Sequence, residues 1–476
     1  MDIQEKKVAI IGLGIEGVAL CDFLEDKAKS VFVLEKTPLE QILLKVDSDL
    51  KEKILKVIKS EKITFVFGER YLDNLYNFDI IYRSPSFYFD DDALVEAKRR
   101  GILVSSQIQL FFDLCPCKII GVTGTKGKGT TASLIYEILS HNYQLTNNVS
   151  ERTVEVHLAG NIGYPAINLI PELTKKDIVV LELSNFQLAD LSSSPDIAVI
   201  TNLYVDHLDY HKSVLEYHEA KFNILSHQKK SDLAILNHDS TFDVDNLEKI
   251  SSEIRYFGHN NEAAIVLKDR VVLDPDHRKI EICKRSEINL FGEHNLENIA
   301  AATLVADSLG ISPEIISRVV KSFVGLPHRI EFVAKINDVT FINDSFATNP
   351  EPTIAAIKSF EANKILILGG SAKGSDFDKL AQQIVANNIK VVCLIGVEAF
   401  KIKQSLLGAA EFKGEIVEGA TNIDEVVLQA YQRATKDDVV IFSPACASFD
   451  MFRNYKDRGE NFKAAVLQLK NSLNHQ

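Results

Sequence analysis

Three times in this chain an unbroken apolar run empties into a cluster of glycines. Val8-Ala-Ile-Ile-Gly-Leu-Gly-Ile-Glu-Gly17 opens it, Ile119-Ile-Gly-Val-Thr-Gly-Thr-Lys-Gly-Lys-Gly-Thr-Thr131 follows, and Lys364-Ile-Leu-Ile-Leu-Gly-Gly-Ser-Ala-Lys373 comes last. A strand that is apolar on both faces belongs inside a parallel sheet covered by helices, and glycines at its end let the chain turn tightly into the next helix. Ile178–Leu183, Ile197–Asn202, Leu233–Asn237, Val391–Gly396 and Val439–Ser443 read as further strands of this kind, with helical patterns between most of them. The class is therefore α/β. Three strand series, each begun by a glycine loop, predict three domains: a Rossmann-like domain over 1–117, a central phosphate-loop domain on a parallel sheet over 118–326, and a second Rossmann-like domain over 327–476. Turn residues at Cys115-Pro-Cys117 and Gly325-Leu-Pro-His328 mark the boundaries. Residues 241–290, charged and β-branched, are expected to add strands to the middle domain.

The second glycine loop carries the most chemistry. Leu134, Ile135, Ile138 and Leu139 recur at one-turn spacing, so a helix begins near Lys128. A strand, a glycine loop and a helix N-terminus together form an anion cradle, because first-turn N–H groups and the helix dipole both favour a phosphate there. Lys128 would reach the terminal phosphates, and Thr130 or Thr131 would offer a hydroxyl to Mg²⁺. The spacing departs from the general phosphate-loop pattern: five residues separate Gly121 from Gly127, and Gly129 follows Lys128. The first loop, Gly12-x-Gly14-x-x-Gly17, is a dinucleotide-type fingerprint, with Glu35 ending the next apolar run where an acid can meet a ribose hydroxyl. Alone it leaves the bound nucleotide unidentified.

In the middle segment, Glu182 ends a buried strand, where a charge is costly unless paired or bound to a cation; it reads as a metal ligand or as a cap on the next helix. Asp206, His207 and Asp209 lie just past another strand end and are candidate ligands or supporting groups for a divalent metal. Strand ends of one parallel sheet converge on the rim that carries the phosphate loop, so these groups are expected to share a site.

Composition restricts the function class. A net charge of −13 over 476 residues opposes nonspecific nucleic-acid binding. No apolar stretch approaches the roughly 18–20 residues that span a bilayer, and the N-terminus enters a strand without a signal peptide's apolar segment. The six cysteines are scattered apart from Cys115-Pro-Cys117, and read as buried free thiols in a reducing compartment. The expectation is a cytoplasmic, monomeric enzyme acting on small molecules, with neither nucleic acid nor membrane as partner.

Taken in order, the glycine–lysine loop, Gly160-Asn-Ile-Gly163, Glu182-Leu-Ser-Asn-Phe-Gln187, Asp206-His-Leu-Asp209, Tyr217-His-Glu-Ala-Lys221, Gly292-Glu-His-Asn-Leu-Glu-Asn298, Gly325-Leu-Pro-His-Arg329, Asn343-Asp-Ser-Phe-Ala-Thr-Asn349, Gly369-Gly-Ser-Ala-Lys373 and Ser443-Pro-Ala-Cys-Ala-Ser448 cover nearly the whole chain. This set resembles the Mur ligase superfamily, in its D-glutamate-adding branch. The resemblance implies ATP-dependent addition of D-glutamate to UDP-N-acetylmuramoyl-L-alanine through an acyl phosphate, a step in peptidoglycan precursor synthesis. It implies Gly14, Ile15, Glu16 and Glu35 near the UDP end. It also implies ATP held by Gly124, Thr125, Lys126, Gly127, Lys128, Gly129 and Thr130, with Asn295 and Asn298 near adenine and Arg329 and Asp344 completing the nucleotide site. Mg²⁺ at two sites would be held by Thr130, Glu182, His207 and Lys221, the lysine carrying a carbamyl group. Asn161 and His328 would position the substrate and attacking amine, while Thr348, Lys373, Ser448 and Tyr455 would hold D-glutamate.

The chain departs from that pattern at a few positions. Gly129 stands where relatives carry Ser or Thr, Phe346 replaces a lysine and thereby removes a cation near the amino-acid site, and Tyr455 replaces a phenylalanine. Ser84-Pro-Ser86 lacks a glycine after the proline, and Gln107 and Gln109 replace acids. A folylpolyglutamate synthase shares the ligase architecture but lacks a full Rossmann-like N-terminal domain. An NAD-dependent oxidoreductase would leave the second loop and Lys221 unexplained. A nucleotide-gated binding protein without catalysis would leave Lys128, Glu182, His207 and Lys221 unexplained.

Overall fold

The computed structural model describes residues 3–146, 154–204, 210–240, 247–259, 263–274, 278–372, 374–409 and 412–474. The chain divides into two compact units, Met1–Ile288 with His294–Ser322, and Asn289–Glu293 with Phe323–Gln476.

The first unit holds two sheets. One consists of β1 (Lys7–Ile11), β2 (Ser30–Glu35), β3 (Ile63–Phe67), β4 (Ile80–Arg83) and β5 (Leu103–Ser106), in the order β3-β2-β1-β4-β5 and parallel throughout. Val8, Ala9, Ile80 and Ile81 are at most 2% exposed, as continuous apolar strands covered on both faces must be. The strand order reverses between β1 and β4. Such a reversal leaves a crevice beyond the strands' C-terminal ends, because the following helices cross to opposite faces.

The second sheet runs β14-β13-β12-β11-β10-β9-β6-β8-β7. Its strands are β6 (Lys118–Thr123), β7 (Val156–Gly160), β8 (Ile178–Glu182), β9 (Ile197–Ile200), β10 (Leu233–Asn237), β11 (Glu253–Gly258), β12 (Ala264–Leu267), β13 (Arg270–Leu273) and β14 (Ile280–Lys284). The expected extra strands of 241–290 are therefore β11 to β14. β11 continues the parallel sheet beside β10, and only β12–β13 and β13–β14 are antiparallel. The helix Lys128–Thr146 begins at the lysine marked by the apolar spacing, and Leu134, Ile135, Ile138 and Leu139 are fully buried.

The second unit carries β15 (Glu331–Ile336), β16 (Val339–Asn343), β17 (Lys364–Leu368), β18 (Ile389–Leu394), β19 (Glu415–Val417) and β20 (Val439–Phe442), in the order β15-β16-β20-β17-β18-β19. All its pairings are parallel except β15–β16. Two cores flank this sheet, one around Phe341, Phe442 and Phe462, the other around Leu366, Phe377 and Ile441.

The cysteines depart from the expectation of uniform burial. All six are free, but only Cys21, Cys283, Cys393 and Cys446 are buried; Cys115 and Cys117 are half-exposed in a turn. Among the described residues no helix is long and apolar enough to cross a membrane.

Candidate active site

β6 lies between β8 and β9, so the residues following these three strands meet at one rim. The loop after β6 is folded by its glycines and clasped by the segment after β9. Gly124 has φ +145, and a Cβ there would stand 2.0 Å from Thr201 Oγ1. Thr125 N donates to Asn202 O at 3.0 Å, Lys126 N to Asn202 Oδ1 at 2.8 Å, and Thr201 Oγ1 to Lys126 O at 2.6 Å. Lys128 Nζ arches over the loop and donates to the carbonyls of Gly124 (2.9 Å) and Thr125 (3.1 Å). An ammonium above a helix N-terminus whose first-turn amides lack helical partners is an anion site by construction.

The helix His294–Ser308 backs this loop. Asn298 Oδ1 accepts from Thr131 Oγ1 at 3.2 Å, Asn298 Nδ2 donates to Asn295 Oδ1 at 2.9 Å, and a Cβ on Gly127 would stand 2.2 Å from Asn298 Oδ1. Both asparagines are buried. Of the two candidate threonines, Thr131 is fully buried with its hydroxyl on Asn298, while Thr130 is half-buried beside the buried Gly129 in the helix's first turn.

Glu182 pairs in register with Val122 on β6, which sets its carboxylate beside the start of the phosphate loop. It is 3% exposed, and its Oε1 accepts from Asn161 Nδ2 at 3.0 Å. The cap on the next short helix comes instead from Ser184, whose side chain accepts from Gln187 N while Gln187 Oε1 accepts from Ser184 N. Lys221, 1% exposed on the helix Val214–Phe222, has its Nζ 4.5 Å from the Tyr217 ring centroid. Tyr217 in turn shares a hydrogen bond with Thr125 Oγ1 at 3.1 Å, which ties this helix to the loop. Asp206, His207 and Asp209 lie outside the described residues; among the described ones no cluster of three or more His, Cys, Asp or Glu is arranged to hold a metal.

A cavity of about 390 Å³ opens at the crevice of the first sheet. Gly14, Ile15 and Glu16 after β1 line one side, Ser84, Pro85 and Ser86 after β4 another, and Asn161, Ser184, Phe186, Gln187 and Tyr210 complete it. The residues expected near a nucleotide sugar thus meet the expected positioning residue Asn161 in one place. Gln187 Nε2 donates to Glu16 Oε1 at 2.7 Å, while Glu16 Oε2 is buried with no protein partner. Desolvation pushes the Glu16 carboxyl up to about 7, against the opposing pull of Gln187 and Arg83. Glu35 is not part of the lining: its carboxylate accepts from Leu13 N (3.0 Å) and Thr37 N (2.8 Å), bracing the first glycine loop.

Sequence reasoning missed Arg83. Its side chain is fully buried; Nε donates to Asp190 Oδ2 at 2.7 Å, a second nitrogen pairs with Asp190 Oδ1 and reaches Phe186 O at 3.0 Å, and the third reaches Ser84 O at 3.2 Å. One guanidinium therefore holds both cavity walls. A charge ending the apolar run Ile80-Ile-Tyr82 was the available signal. The Ser-x-x-Gln spacing of Ser184 and Gln187 was likewise readable as a capping box.

In the second unit, the segments after β16 and β20 share a rim. His328 has φ +65 and is 5% exposed; its Nδ1 meets Asn343 Nδ2 at 3.0 Å, and its ring stands edge-on to Tyr455. Burial holds the His328 imidazole below its ordinary range. Asp344 is 4% exposed, accepts from Ile330 N (3.1 Å) and Ser443 Oγ (2.6 Å), and is pushed up to about 7 by burial. At Phe346, which stands where the pattern has a lysine, the Arg329 guanidinium lies 3.9 Å from the ring centroid, and that ring packs edge-on against Tyr455 at 5.0 Å. Ser448 is buried and Thr348 half-buried on the same rim. Lys373 lies outside the described residues.

A family model described as the Mur ligase middle domain matches residues 122–306, and one described as the Mur ligase glutamate ligase domain matches residues 328–446. The UDP-N-acetylmuramoylalanine–D-glutamate ligase of Acetivibrio thermocellus is 38% identical over 471 residues, covering 98% of this chain and 97% of its own. The enzyme of that name from Clostridium kluyveri is 38% identical with the same coverage. Among solved structures, the UDP-N-acetylmuramate–alanine ligase of Thermotoga maritima superposes with a TM-score of 0.56 at 18% identity, covering 98% of this chain and 100% of that one, which is a likeness of fold.

Proposed function

The chain belongs to the Mur ligase family, and on that premise we propose that it is an ATP-dependent ligase joining D-glutamate to the alanyl carboxylate of UDP-N-acetylmuramoyl-L-alanine, a step of peptidoglycan precursor synthesis. One observation carries the reading. Asn161 lines the cavity and donates to Glu182, whose strand pairs with the one leading into the phosphate loop, and this link supports a substrate carboxylate in that cavity meeting a terminal phosphate.

The chemistry follows from charge. A carboxylate attacking a phosphate is an anion approaching an anion, and Lys128 with the first-turn amides offsets that repulsion at the terminal phosphate. Phosphoryl transfer gives an acyl phosphate; the amine of D-glutamate adds to its carbonyl, and phosphate leaves as the amide forms. Asn161 is assigned to positioning the substrate and His328 to positioning the attacking amine, by their match to the family's motifs. Gly14, Ile15 and Glu16 hold the nucleotide sugar, and Glu35 acts by bracing their loop. Thr348, Lys373, Ser448 and Tyr455 are assigned to D-glutamate, and Asn295, Asn298, Arg329 and Asp344 to ATP, by their match to the family's motifs.

Mg²⁺ fits the donors present. Glu182 and Thr130 offer hard oxygens at the phosphate rim, and Mg²⁺ characteristically takes one or two protein oxygens alongside phosphate and water. When bound it neutralises phosphate charge. His207, and Lys221 as its carbamate, are assigned to the metal sites; the burial of Lys221 beside the loop-bound Tyr217 supports that assignment. The domain division 1–117, 118–326 and 327–476 is supported by one sheet per segment. A cytoplasmic monomer is the expected state.

Phosphate release from ATP with UDP-N-acetylmuramoyl-L-alanine, Mg²⁺ and single amino acids tests the reading. Release requiring both the sugar nucleotide and D-glutamate, with the adduct confirmed by mass, supports it. Release with another amino acid changes the substrate, and none with any partner rejects it. Lys128→Ala is expected to abolish turnover in a folded protein, and normal product from that variant would remove the phosphate-loop assignment.

A further inference from the structure

The turn joining the helix Gln107–Leu114 to β6 is Cys115-Pro-Cys117. Cys115 is extended, with φ −65 and ψ 121, as a residue preceding proline prefers. In extended backbone, residues two apart face the same side, and the two sulfur atoms stand 3.6 Å apart. Both side chains are half-buried and flanked by the exposed Pro116 and Lys118, so reagents in solution can reach them. The other four cysteines are buried, and desolvation pushes Cys21, Cys393 and Cys446 up to about 12 and Cys283 up to about 11. Cys115 goes the other way: the neighbouring thiol's hydrogen bond holds it below the ordinary thiol range, while Cys117 is raised as the partner that keeps its proton. Cys115 Sγ lies 3.6 Å from Cys117 Sγ, close enough for one thiol to resolve a mixed disulfide formed on the other.

We propose that Cys115 and Cys117 form a reversible dithiol–disulfide site, a modification site whose oxidant is a low-molecular-weight disulfide. The Cys115 thiolate attacks one sulfur of the external disulfide, forming a mixed disulfide and expelling one thiolate. Cys117 then loses its proton and attacks Cys115 Sγ; the Sγ–Sγ bond forms and the second external thiolate leaves. Two chain thiols are oxidised, one external disulfide is reduced, and the two protons end on the released thiols. The sulfur atoms close from 3.6 Å to about 2.05 Å without crossing another element. The bond forms at the start of β6, where Ile119 N is anchored on Asp196 Oδ2 at 2.7 Å, and neither thiol touches the cavity or phosphate loop.

The test treats the full chain with oxidised glutathione and maps the products by mass spectrometry. The expected product lacks two hydrogen masses, confined to the peptide holding Cys115 and Cys117, carries no glutathione, and reverts with dithiothreitol. Cys117→Ser and Cys115→Ser are each expected to stop at a stable glutathione adduct on the remaining thiol, because the resolving partner is gone. Unchanged ATP turnover by both reduced variants verifies that they fold. A persisting adduct on the wild-type chain, oxidation at the buried cysteines, or no stable adduct on either single variant would overturn the proposal.

Discussion

Replacing Arg83 with methionine keeps much of the side chain's volume and removes every donor that ties the two walls of the cavity. Asp190 then loses its ion-pair partner while its side chain remains only 15% exposed. The carbonyl of Phe186 also loses its 3.0 Å donor and that of Ser84 its 3.2 Å donor. Removing one member of a buried pair typically costs about 3–5 kcal/mol, because the remaining charge is left desolvated and uncompensated. The slight exposure of Asp190 moves the expected loss toward the lower end, about 3 kcal/mol. Arg83→Met with Asp190→Leu leaves no stranded charge, so the double variant should recover more than half of the loss.

The assay is a double-mutant cycle in urea, read on the transition of the first unit, with steady-state KM values on the folded variants. Coupling between the two sites of about 1–3 kcal/mol is expected for residues in direct contact. Because Ser84 and Phe186 line the cavity, KM for the sugar nucleotide should rise well before KM for ATP does. Additive effects in the cycle, or a loss below about 1 kcal/mol for Arg83→Met, the scale of an exposed pair, would refute the claim that this guanidinium organises the cavity.

Gly127→Ala should lose ATP binding and about 1–3 kcal/mol of stability, since its Cβ would meet Asn298 Oδ1 at 2.2 Å and φ is +81; unchanged nucleotide affinity by calorimetry would contradict this. Lys221→Ala should lose turnover and regain part of it with short carboxylates in the buffer, and full activity without them would reject the carbamate assignment. Asp344 has its carboxyl raised from 3.8 to about 7, so between those values the folded chain binds the extra proton and stability falls as pH rises through that window, levelling off above it. The fall is bounded at about 4 kcal/mol by roughly 1.36 kcal/mol per pH unit. Asp344→Asn should remove its share of that fall and leave the share of Glu16, whose carboxyl is also pushed up to about 7, as read by unfolding midpoints from pH 4 to pH 8.

The features legible in the sequence were contiguous ones. Strands buried on both faces announce themselves as unbroken apolar runs, and the phosphate loop and its lysine occupy one short stretch. The helix start at Lys128 followed from four apolar residues. The cavity was only partly legible, because its lining comes from segments after β1, β4 and β7 and around the short helix Asn185–Leu188. Glu182 and Asn161 were each marked as candidates, but the hydrogen bond between them depends on β7 and β8 pairing so that Gly160 faces Glu182. The charge of Arg83 at the end of an apolar run was readable, but its pairing was not, because its partner stands 107 residues further along the chain. β11 read as part of an insertion because residues 241–290 are charged and β-branched, although it continues the parallel sheet beside β10.

Phe346 shows how a substituted side chain takes on contacts that its sequence position alone does not display. Lysine to phenylalanine subtracts a charge from the rim of the second unit. In three dimensions the aromatic face seats Arg329, which sits between His328 and Ile330, both at positive φ. His328 O accepts from Phe346 N at 3.0 Å, so backbone and ring hold the same turn from two directions. Tyr455, the other departure nearby, contacts both the Phe346 ring and the His328 ring. The two departures touch each other, and together they hold the Arg329 guanidinium and the His328 ring against one aromatic pair. A cation–aromatic contact of this kind contributes about 0.5–2 kcal/mol, which is enough to keep a long side chain in one rotamer.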